Sequence, residues 1–361
     1  MDTPKRGLAP QPHGHSLVMK GAEDWSSGVL CCVDTKHDGG SGCGDPSGNG
    51  SMTHRALLYG SEDEFLAATV PFIHEGLDRD EQIQIATNDR NKAWLQAALG
   101  VATEQVTFRA SSQCYRHPGR ALAAKYRTAH PAKPDEQQQQ RLRIIGEPWW
   151  TARTAPEAKE WVRYESLVNA ALAGANVALL CTYDTTAVEE QVINQVGRTH
   201  PELVECGQVR PSPDYADPAV FNSECNASPL TQLPAPALWL RFSRTEQLAT
   251  LRDFVTSQAS RVGADSRSVA PFVQAVDEVA TNAIKHGGGS GVLQIWTGPQ
   301  TVLCEVSDTG GGLPDPLAGQ LPHPPGQLRG CGLWLARQFS DLLEVHSDPA
   351  GTTVRLHLTV S

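Results

Sequence analysis

The chain has 361 residues, 40% of them hydrophobic, and its 40 acidic residues against 30 Lys and Arg give a net charge of −10. That length holds two domains of ordinary size with real cores, and an acidic balance without a basic cluster argues against direct nucleic-acid binding. No apolar run approaches the roughly 18 residues of a membrane-spanning helix, no secretory signal stands out, and nine scattered cysteines fit reduced thiols, so a cytoplasmic chain without membrane contact is expected.

Residues 1–51 are polar, and apart from Cys43 the stretch 38–50 holds only Gly, Ser, Asp, Pro and Asn. Such a segment cannot bury enough apolar surface to offset its ordering entropy, so a disordered leader is expected. Cys31, Cys32, His37 and Cys43 are metal-ligand types, but their spacing fits no common zinc pattern. Met52 opens the first globular-looking stretch and is a candidate true start of the protein.

From His54 to Tyr215 strand-like and helix-like segments alternate. Strands are expected at 56–59, 82–87, 106–108, 143–145 and 177–183, and helices from Ser61, over 90–99, 119–128 and 155–173, and from Thr185. The run 131–140, with four glutamines, reads as a loop. This alternation predicts an α/β domain over 52–222 with a mostly parallel sheet flanked by helices, whose ligands bind beyond the carboxyl ends of the strands. No phosphate-loop motif follows the first strand, which runs into Tyr59-Gly60-Ser61-Glu62-Asp63, so nucleotide hydrolysis is not expected there. The Pro-, Asn- and Ser-rich stretch 211–236 joins this domain to the next, with the linker at 223–236.

Over 237–361 four motifs follow one another: Glu278-x-x-x-Asn282, Asp308-x-Gly310-x-Gly312, Gly330-x-Gly332-Leu333 and Gly351-Thr352-Thr353. Taken singly, each has an ordinary reading as a turn, a solvated helix face or chance. Their order, each on the expected element type, points to one nucleotide site. At about 100° per residue, Val273, Val276, Ala280, Ala283 and Ile284 fall within about 60° of one direction and form a core stripe. Glu278 and Asn282, one turn apart, share the opposite face, where their oxygens suit a hard cation such as Mg²⁺. His286 lies at the helix end before Gly287-Gly288-Gly289, a position that suits a helix-terminal residue better than a catalyst. Residues 292–296 and 302–306 alternate like paired strands about Gly298-Pro299, and the second delivers Asp308 to a glycine loop where a carboxylate can accept the amine of adenine. The stretch 313–328 reads as a mobile lid. The helix after Gly332, over 334–339, can hold phosphate at its amino end, and strands at 342–346 and 353–359 close the sheet.

The run Asp277-Glu278-Val279-Ala280-Thr281-Asn282-Ala283-Ile284-Lys285-His286-Gly287, with the motifs after it, resembles anti-sigma-factor serine/threonine kinases of the RsbA/RsbW type, which carry the GHKL (Bergerat) fold, an α+β sandwich. The resemblance implies Mg-ATP as ligand, Glu278 as general base for the acceptor hydroxyl, Asn282 on Mg²⁺ and Asp308 on adenine with Gly310 and Gly312 behind it. It further implies Gly330 and Gly332 in the phosphate loop and Thr352 or Thr353 near adenine. Cys331 stands between the loop glycines where a larger polar residue would be unsurprising. The run 54–59 with Phe65, Pro71-Phe72, Glu75-Gly76-Leu77, Tyr115-Arg116, Gly146-Glu147-Pro148 and Tyr183-Asp184 resembles the MEDS sensory family, a RecA-like fold without the phosphate loop. Its candidate pocket residues are His54, Tyr59, Tyr115, Arg116, Glu147, Arg163 and Tyr183.

Together these resemblances imply a sensory module governing an ATP-dependent kinase. Its expected partners are an alternative sigma factor, an anti-anti-sigma antagonist of the STAS type whose serine is phosphorylated, and a small-molecule signal, with homodimerisation left open. An ATP-gated scaffold that transfers no phosphate and a sensor histidine kinase stay open as alternatives. Against the latter, the stretch 241–263 holds no histidine.

Overall fold

A computed structural model of the chain describes residues 17–19, 30–32, 52–131, 140–148, 150, 153–234, 238–322 and 330–360. The chain divides into two compact units, 1–48 and 49–361. In the first, β1 (Leu17–Met19) pairs antiparallel with β2 (Leu30–Cys32), two short strands that the composition did not suggest. The remaining leader, and with it the side chains of Cys31, Cys32, His37 and Cys43, lies outside the described residues.

The second unit begins with the expected alternation. β3 (Thr53–Tyr59) leads to α1 (Glu62–Asp78), β4 (Gln82–Thr87), α2 (Asp89–Leu99), β5 (Thr107–Ala110), α3 (Ser111–Cys114) and α4 (Pro118–Ala129). β6 (Leu142–Gly146), α5 (Ala155–Ala171), β7 (Val177–Asp184), α6 (Glu190–Thr199), β8 (Glu202–Glu205) and β9 (Gln208–Pro211) follow. The seven strands lie in the order β5-β4-β6-β7-β3-β8-β9, all parallel except the β8–β9 hairpin.

Local chemistry sets the boundaries of these elements. Ser61 caps α1 by accepting from the Glu64 amide, and Thr154 with Glu157 forms a capping box at α5, each satisfying amides that a helix leaves unpaired. All eight residues of β7 are buried, as expected of a central parallel strand covered on both faces. Even Arg143 on β6 is buried, its guanidinium held by Glu81, Glu75 and the Phe72 carbonyl.

Where a linking stretch was expected, α7 (Pro218–Ala227) spans the 222/223 boundary, capped by Asp217 and packed on α5. Its Pro-rich sequel then runs over the second sheet, where the Ser228 carbonyl faces His346, that of Thr231 accepts from Arg355 and that of Pro234 from Trp296 Nε1. The second sheet follows the order β10-β11-β12-β14-β13 and is antiparallel throughout. Its strands are β10 (Leu238–Phe242), β11 (Gly291–Gly298), β12 (Thr301–Asp308), β13 (Leu342–Asp348) and β14 (Gly351–Thr359). α8 (Leu248–Arg261), α9 (Ser266–Lys285) and α10 (Gly332–Phe339) pack against it. α9 buries Val273, Val276, Ala280 and Ala283 of its expected stripe while Ile284, near the helix end, is half-buried, and the stripe meets the apolar face formed by Val302, Cys304, Val306, Val354 and Leu356. The opposite face carries Glu305, Arg355, Glu344 and His357 in a polar ladder. The result is the two-layer α+β sandwich expected.

Candidate functional site

Four segments distant in sequence meet at one edge of the sandwich. α9 supplies Glu278 and Asn282, both partly exposed on the side away from its buried stripe. The amino end of α10 comes down on these two side chains, so close that a β-carbon on Gly332 would lie 2.8 Å from Glu278 Oε2 and 3.3 Å from Asn282 Nδ2. Gly332 is therefore a contact, not a hinge: its missing side chain leaves room for a ligand between a carboxylate, a carboxamide and a helix amino terminus. Gly330, at φ +82°, gives the loop its left-handed turn.

Asp308, the last residue of β12, is held by its surroundings. Its Oδ1 accepts from the Gly310 amide at 3.0 Å and the Thr352 amide at 3.2 Å. Gly287, just past α9, lies against the carboxylate so tightly that any β-carbon there would overlap it. With one oxygen fixed by backbone donors, the other remains an acceptor, the type of group that could meet an exocyclic amine. Strand alternation separates the two threonines. Thr352 shares the helix-facing side of the sheet with Val354 and Asp308 and meets Ser347 Oγ at 3.3 Å, whereas Thr353 points to the opposite side with Arg355. Gly312, at φ +78°, passes close to the Asp348 carbonyl, and Ser347 Oγ accepts from Leu313 N at 2.7 Å. Sequence reading missed Gly287 and Ser347, since a glycine in a run of three and a lone serine carry no motif.

Burial raises the Glu278 carboxyl above its ordinary value and Asp277 adds to the shift, with Lys285 opposing. A carboxylate moved toward neutrality is better suited to accept a proton. The first part of the expected lid is anchored: Leu317 and Leu321 pack on the core of the parallel-sheet domain, and the Pro316 carbonyl accepts from Asn226. Residues 323–329 lie outside the described residues.

The parallel sheet has a cleft of about 310 Å³ beyond the carboxyl ends of β4, β6 and β7, lined among others by Asn88, Arg90, Glu147, Trp150 and Asp184. Connections leave β4 and β6 in opposite directions along the sheet, and such a point opens a crevice for ligands. Of the candidate pocket residues, Glu147 lines the cleft and Tyr59 meets it from the buried side. Glu147 accepts from Tyr59 Oη at 2.9 Å, from Asn88 Nδ2 at 2.9 Å, from Asn91 Nδ2 at 3.0 Å and from Thr87 Oγ1. Burial and the adjoining carboxylate push the Tyr59 phenol up, so it remains a donor. Tyr183 stands one layer back, stacked on Trp150, and Tyr115 is buried against Trp161 and Tyr164. Arg116 is exposed. Arg163 is buried far from the cleft, in an ion pair with Glu160 and a hydrogen bond to Asn226. His54 belongs to a separate buried group with Glu165, Cys181 and His200.

Comparison with known proteins resolves the chain into two parts. Residues 53–201 match the methanogen/methylotroph DcmR sensory domain, MEDS, and residues 242–358 match the histidine kinase-like ATPase domain. The chain joins a MEDS sensory domain to a histidine kinase-like ATPase domain. No curated protein matches it. Among solved structures it is similar to the RsbU and RsbW domains of Rv1364c from Mycobacterium tuberculosis, at 23% identity over 35% of this chain and 33% of that one, with a TM-score of 0.26. The chain thus spans about a third of the length of that protein. The catalytic domain of histidine kinase ThkA is similar at 15% identity over 34% of this chain and 96% of that one, with a TM-score of 0.23. Among the described residues no helix is long and apolar enough to cross a membrane.

Proposed function

We propose that this protein is an ATP-dependent anti-sigma regulatory kinase, in which the MEDS module controls an ATPase domain that phosphorylates a serine of an anti-anti-sigma antagonist and sequesters an alternative sigma factor. The observation that carries the reading is the placement of Gly332 directly over Glu278 and Asn282, beside an Asp308 carboxylate oriented by two backbone amides. Mg-ATP, when bound, supplies the phosphoryl group and neutralises its charge. Asp308, with Thr352 rather than Thr353 beside it, recognises adenine. The Asn282 side-chain oxygen is the Mg²⁺ ligand, a hard donor for a hard cation. The amides opening α10 hold phosphate, and Glu278 takes the proton of the acceptor hydroxyl. Phosphoryl transfer needs positioning and charge more than covalent participation, so these groups suffice.

Two features favour an external serine as acceptor and a sensor in direct mechanical contact. α8, which precedes the ATP helix, contains no histidine, so the segment offers no histidine acceptor for self-phosphorylation. α10 is gripped at its far end by the sensory domain: Arg337 donates to Glu160 at 3.1 Å, Arg120 Nε to the Gln338 carbonyl at 2.9 Å and Gln338 Nε2 to the Gly119 carbonyl at 3.2 Å, while Trp334 enters the sensory core. The test is transfer of labelled phosphate from ATP to a STAS-type antagonist copurified from the native cell. Acid-stable label on the antagonist, absent with Glu278→Gln, is the expected result. Acid-labile, alkali-stable label would indicate histidine chemistry, and no label on any partner would leave an ATP-gated scaffold.

A further inference from the structure

Behind the cleft wall of the sensory domain, four side chains from four elements converge: His54 of β3, Glu165 of α5, Cys181 of β7 and His200 at the end of α6. All are at most 2% exposed. Their donor atoms lie within 4.8 Å of one another. His54 Nε2 is 3.4 Å from Cys181 Sγ and 3.6 Å from Glu165 Oε2, and the same carboxylate oxygen is 3.4 Å from Cys181 Sγ and 3.7 Å from His200 Nε2. Zinc bonds of about 2.0–2.3 Å in a tetrahedron set neighbouring ligand atoms about 3.3–3.8 Å apart; four of the six separations fall in that range, and the two others, from His200 to His54 and Cys181, stay within 4.8 Å.

The ring orientations are fixed from outside. His54 Nδ1 meets Asn169 Oδ1 at 2.9 Å, and the Asn169 amide nitrogen donates to the Thr199, Ser166 and Glu165 carbonyls, so its oxygen must be the acceptor and His54 Nδ1 the donor. His200 Nδ1 lies 3.0 Å from the Val196 carbonyl, which can only accept, and 3.0 Å from Thr199 Oγ1, whose proton goes to the Gln195 or Val196 carbonyl and whose lone pairs face the ring. Both imidazoles therefore carry their proton on Nδ1 and turn an Nε2 lone pair inward, the support that metal-bound histidines receive from outer hydrogen bonds. His200 Nε2 and Glu165 Oε1 have no hydrogen-bond partner although both are buried, and a buried polar atom without a partner calls for an explanation.

We propose that His54, Glu165, Cys181 and His200 form a closed tetrahedral site for a divalent transition-metal ion, zinc being the fit for this donor set. Loading releases the Cys181 thiol proton to solvent, and the thiolate and carboxylate then cancel the two charges of the ion, so the completed site is neutral and can remain fully buried. Four protein ligands leave no open position, so the ion is structural. It ties β3 and β7 to α5 and α6. His200 packs edge-on against Tyr183, which stacks on Trp150 of the cleft wall, so the ion also fixes that wall.

Metal analysis of the full-length protein should find about one zinc per chain, resistant to desalting. Cys181→Ser and His200→Gln should lose it, and Asn169→Ala should weaken zinc affinity by about 10- to 100-fold. The combined change Cys31→Ser, Cys32→Ser and Cys43→Ser should retain it, which separates this site from the leader cysteines. Cobalt exchanged into the parent protein should show a thiolate-to-metal charge-transfer band with the absorption of tetrahedral cobalt. Parent protein that binds neither zinc nor cobalt, cobalt-loaded parent without the thiolate band, or metal that follows the leader cysteines instead of Cys181 would each overturn the proposal. Because the decisive spectrum is that of the parent protein, a variant that fails to fold does not remove the test.

Discussion

Gly332→Ala isolates the claim that the nucleotide site is built on a missing side chain. The added β-carbon would stand 2.8 Å from Glu278 Oε2, where ordinary contact begins at 3.4 Å. The oxygen, at the end of a flexible and partly exposed side chain, must retreat by about 0.6 Å or more, because the repulsive wall is steep on that scale. The backbone has no objection, since Gly332 is the first residue of α10 and does not lie in the left-handed region. Alanine should stabilise that helix by up to about 1 kcal/mol relative to glycine. Folding is thus preserved while the base is displaced and the phosphate space filled. Since a misplacement of about 1 Å can cost about 10²-fold in rate, phosphoryl transfer should fall by about 10- to 10²-fold and ATP affinity should weaken, with the melting temperature unchanged or higher. Gly330→Ala is the opposite case. Nothing lies within 4 Å of its added carbon, but its φ of +82° strains any other residue, so it should cost about 1–2 kcal/mol of stability without filling the site. Single-turnover transfer, calorimetry with ATP and thermal melts of both variants decide the matter. A Gly332→Ala protein that melts, binds and transfers like the parent would refute the site.

Asp308→Asn replaces an acceptor-only carboxylate by an amide and should weaken ATP binding by about 1–3 kcal/mol in calorimetry; unchanged affinity would remove the adenine assignment. Glu278→Gln should keep Mg-ATP binding and lose about 10² to 10⁴ in transfer rate, whereas Asn282→Ala should weaken the dependence on Mg²⁺. Burial, seconded by Asp277, raises the Glu278 carboxyl, and the base acts only when deprotonated. The transfer rate should therefore fall as pH drops through a value above the ordinary glutamate range, and a limb at or below that range counts against the role. A fragment of residues 237–361 should still bind ATP, because the nucleotide motifs lie within it, but removal of 1–222 takes away the Glu160, Arg120 and Gly119 partners of α10, so kinase activity should fall as well as lose its response to the native signal. The fragment starting at 223 should melt higher than the one starting at 237, because the carbonyls of Ser228, Thr231 and Pro234 engage His346, Arg355 and Trp296. Equal melting temperatures would show that this strap adds nothing.

The nucleotide half was legible because its chemistry is local. Glu278 and Asn282 announce themselves by helical spacing, and Asp308 by the strand it ends and the glycines after it. Which threonine faces the site was not legible, because only the pairing of Ser307 with Thr353 fixes which side of the sheet each occupies. In the sensory half the strand and helix alternation was readable, but the grouping of its residues was not. Seven pocket candidates separate into a satisfied carboxylate network under the cleft, an aromatic layer behind it, an exposed Arg116, an ion pair at Arg163 and the His54 cluster. Glu165, Cys181 and His200 sit on three different elements at spacings that no motif describes. α7 was hidden by its composition: Asn, Ser and Pro suggest a loop, yet Asp217 caps the helix, Pro218 occupies its first turn and Phe221 is buried.

The grip of the sensory domain on α10 bears on how the two activities are joined. A module tethered by a flexible linker could influence its neighbour only by proximity, whereas here one helix belongs to both sites. Its first residue lies over Glu278 and Asn282, and a turn and a half later Arg337 enters the sensory domain. Arg337 is buried, and burial pushes its guanidinium down to about 10 with Glu160 opposing. That single carboxylate faces both Arg337 and Arg163, so one buried negative charge serves two positive ones. Removing one partner of a buried pair costs about 3–5 kcal/mol, so a rearrangement of α5 that withdraws Glu160 destabilises the buried Arg337, leaving it the Leu343 carbonyl of its own domain. On the proposed function, a signal bound by the sensory domain can shift the balance between two settings of α10 only as far as its affinity differs between them, and the Arg163–Glu160–Arg337 group, a buried contact between the two domains, is the place to test for that coupling.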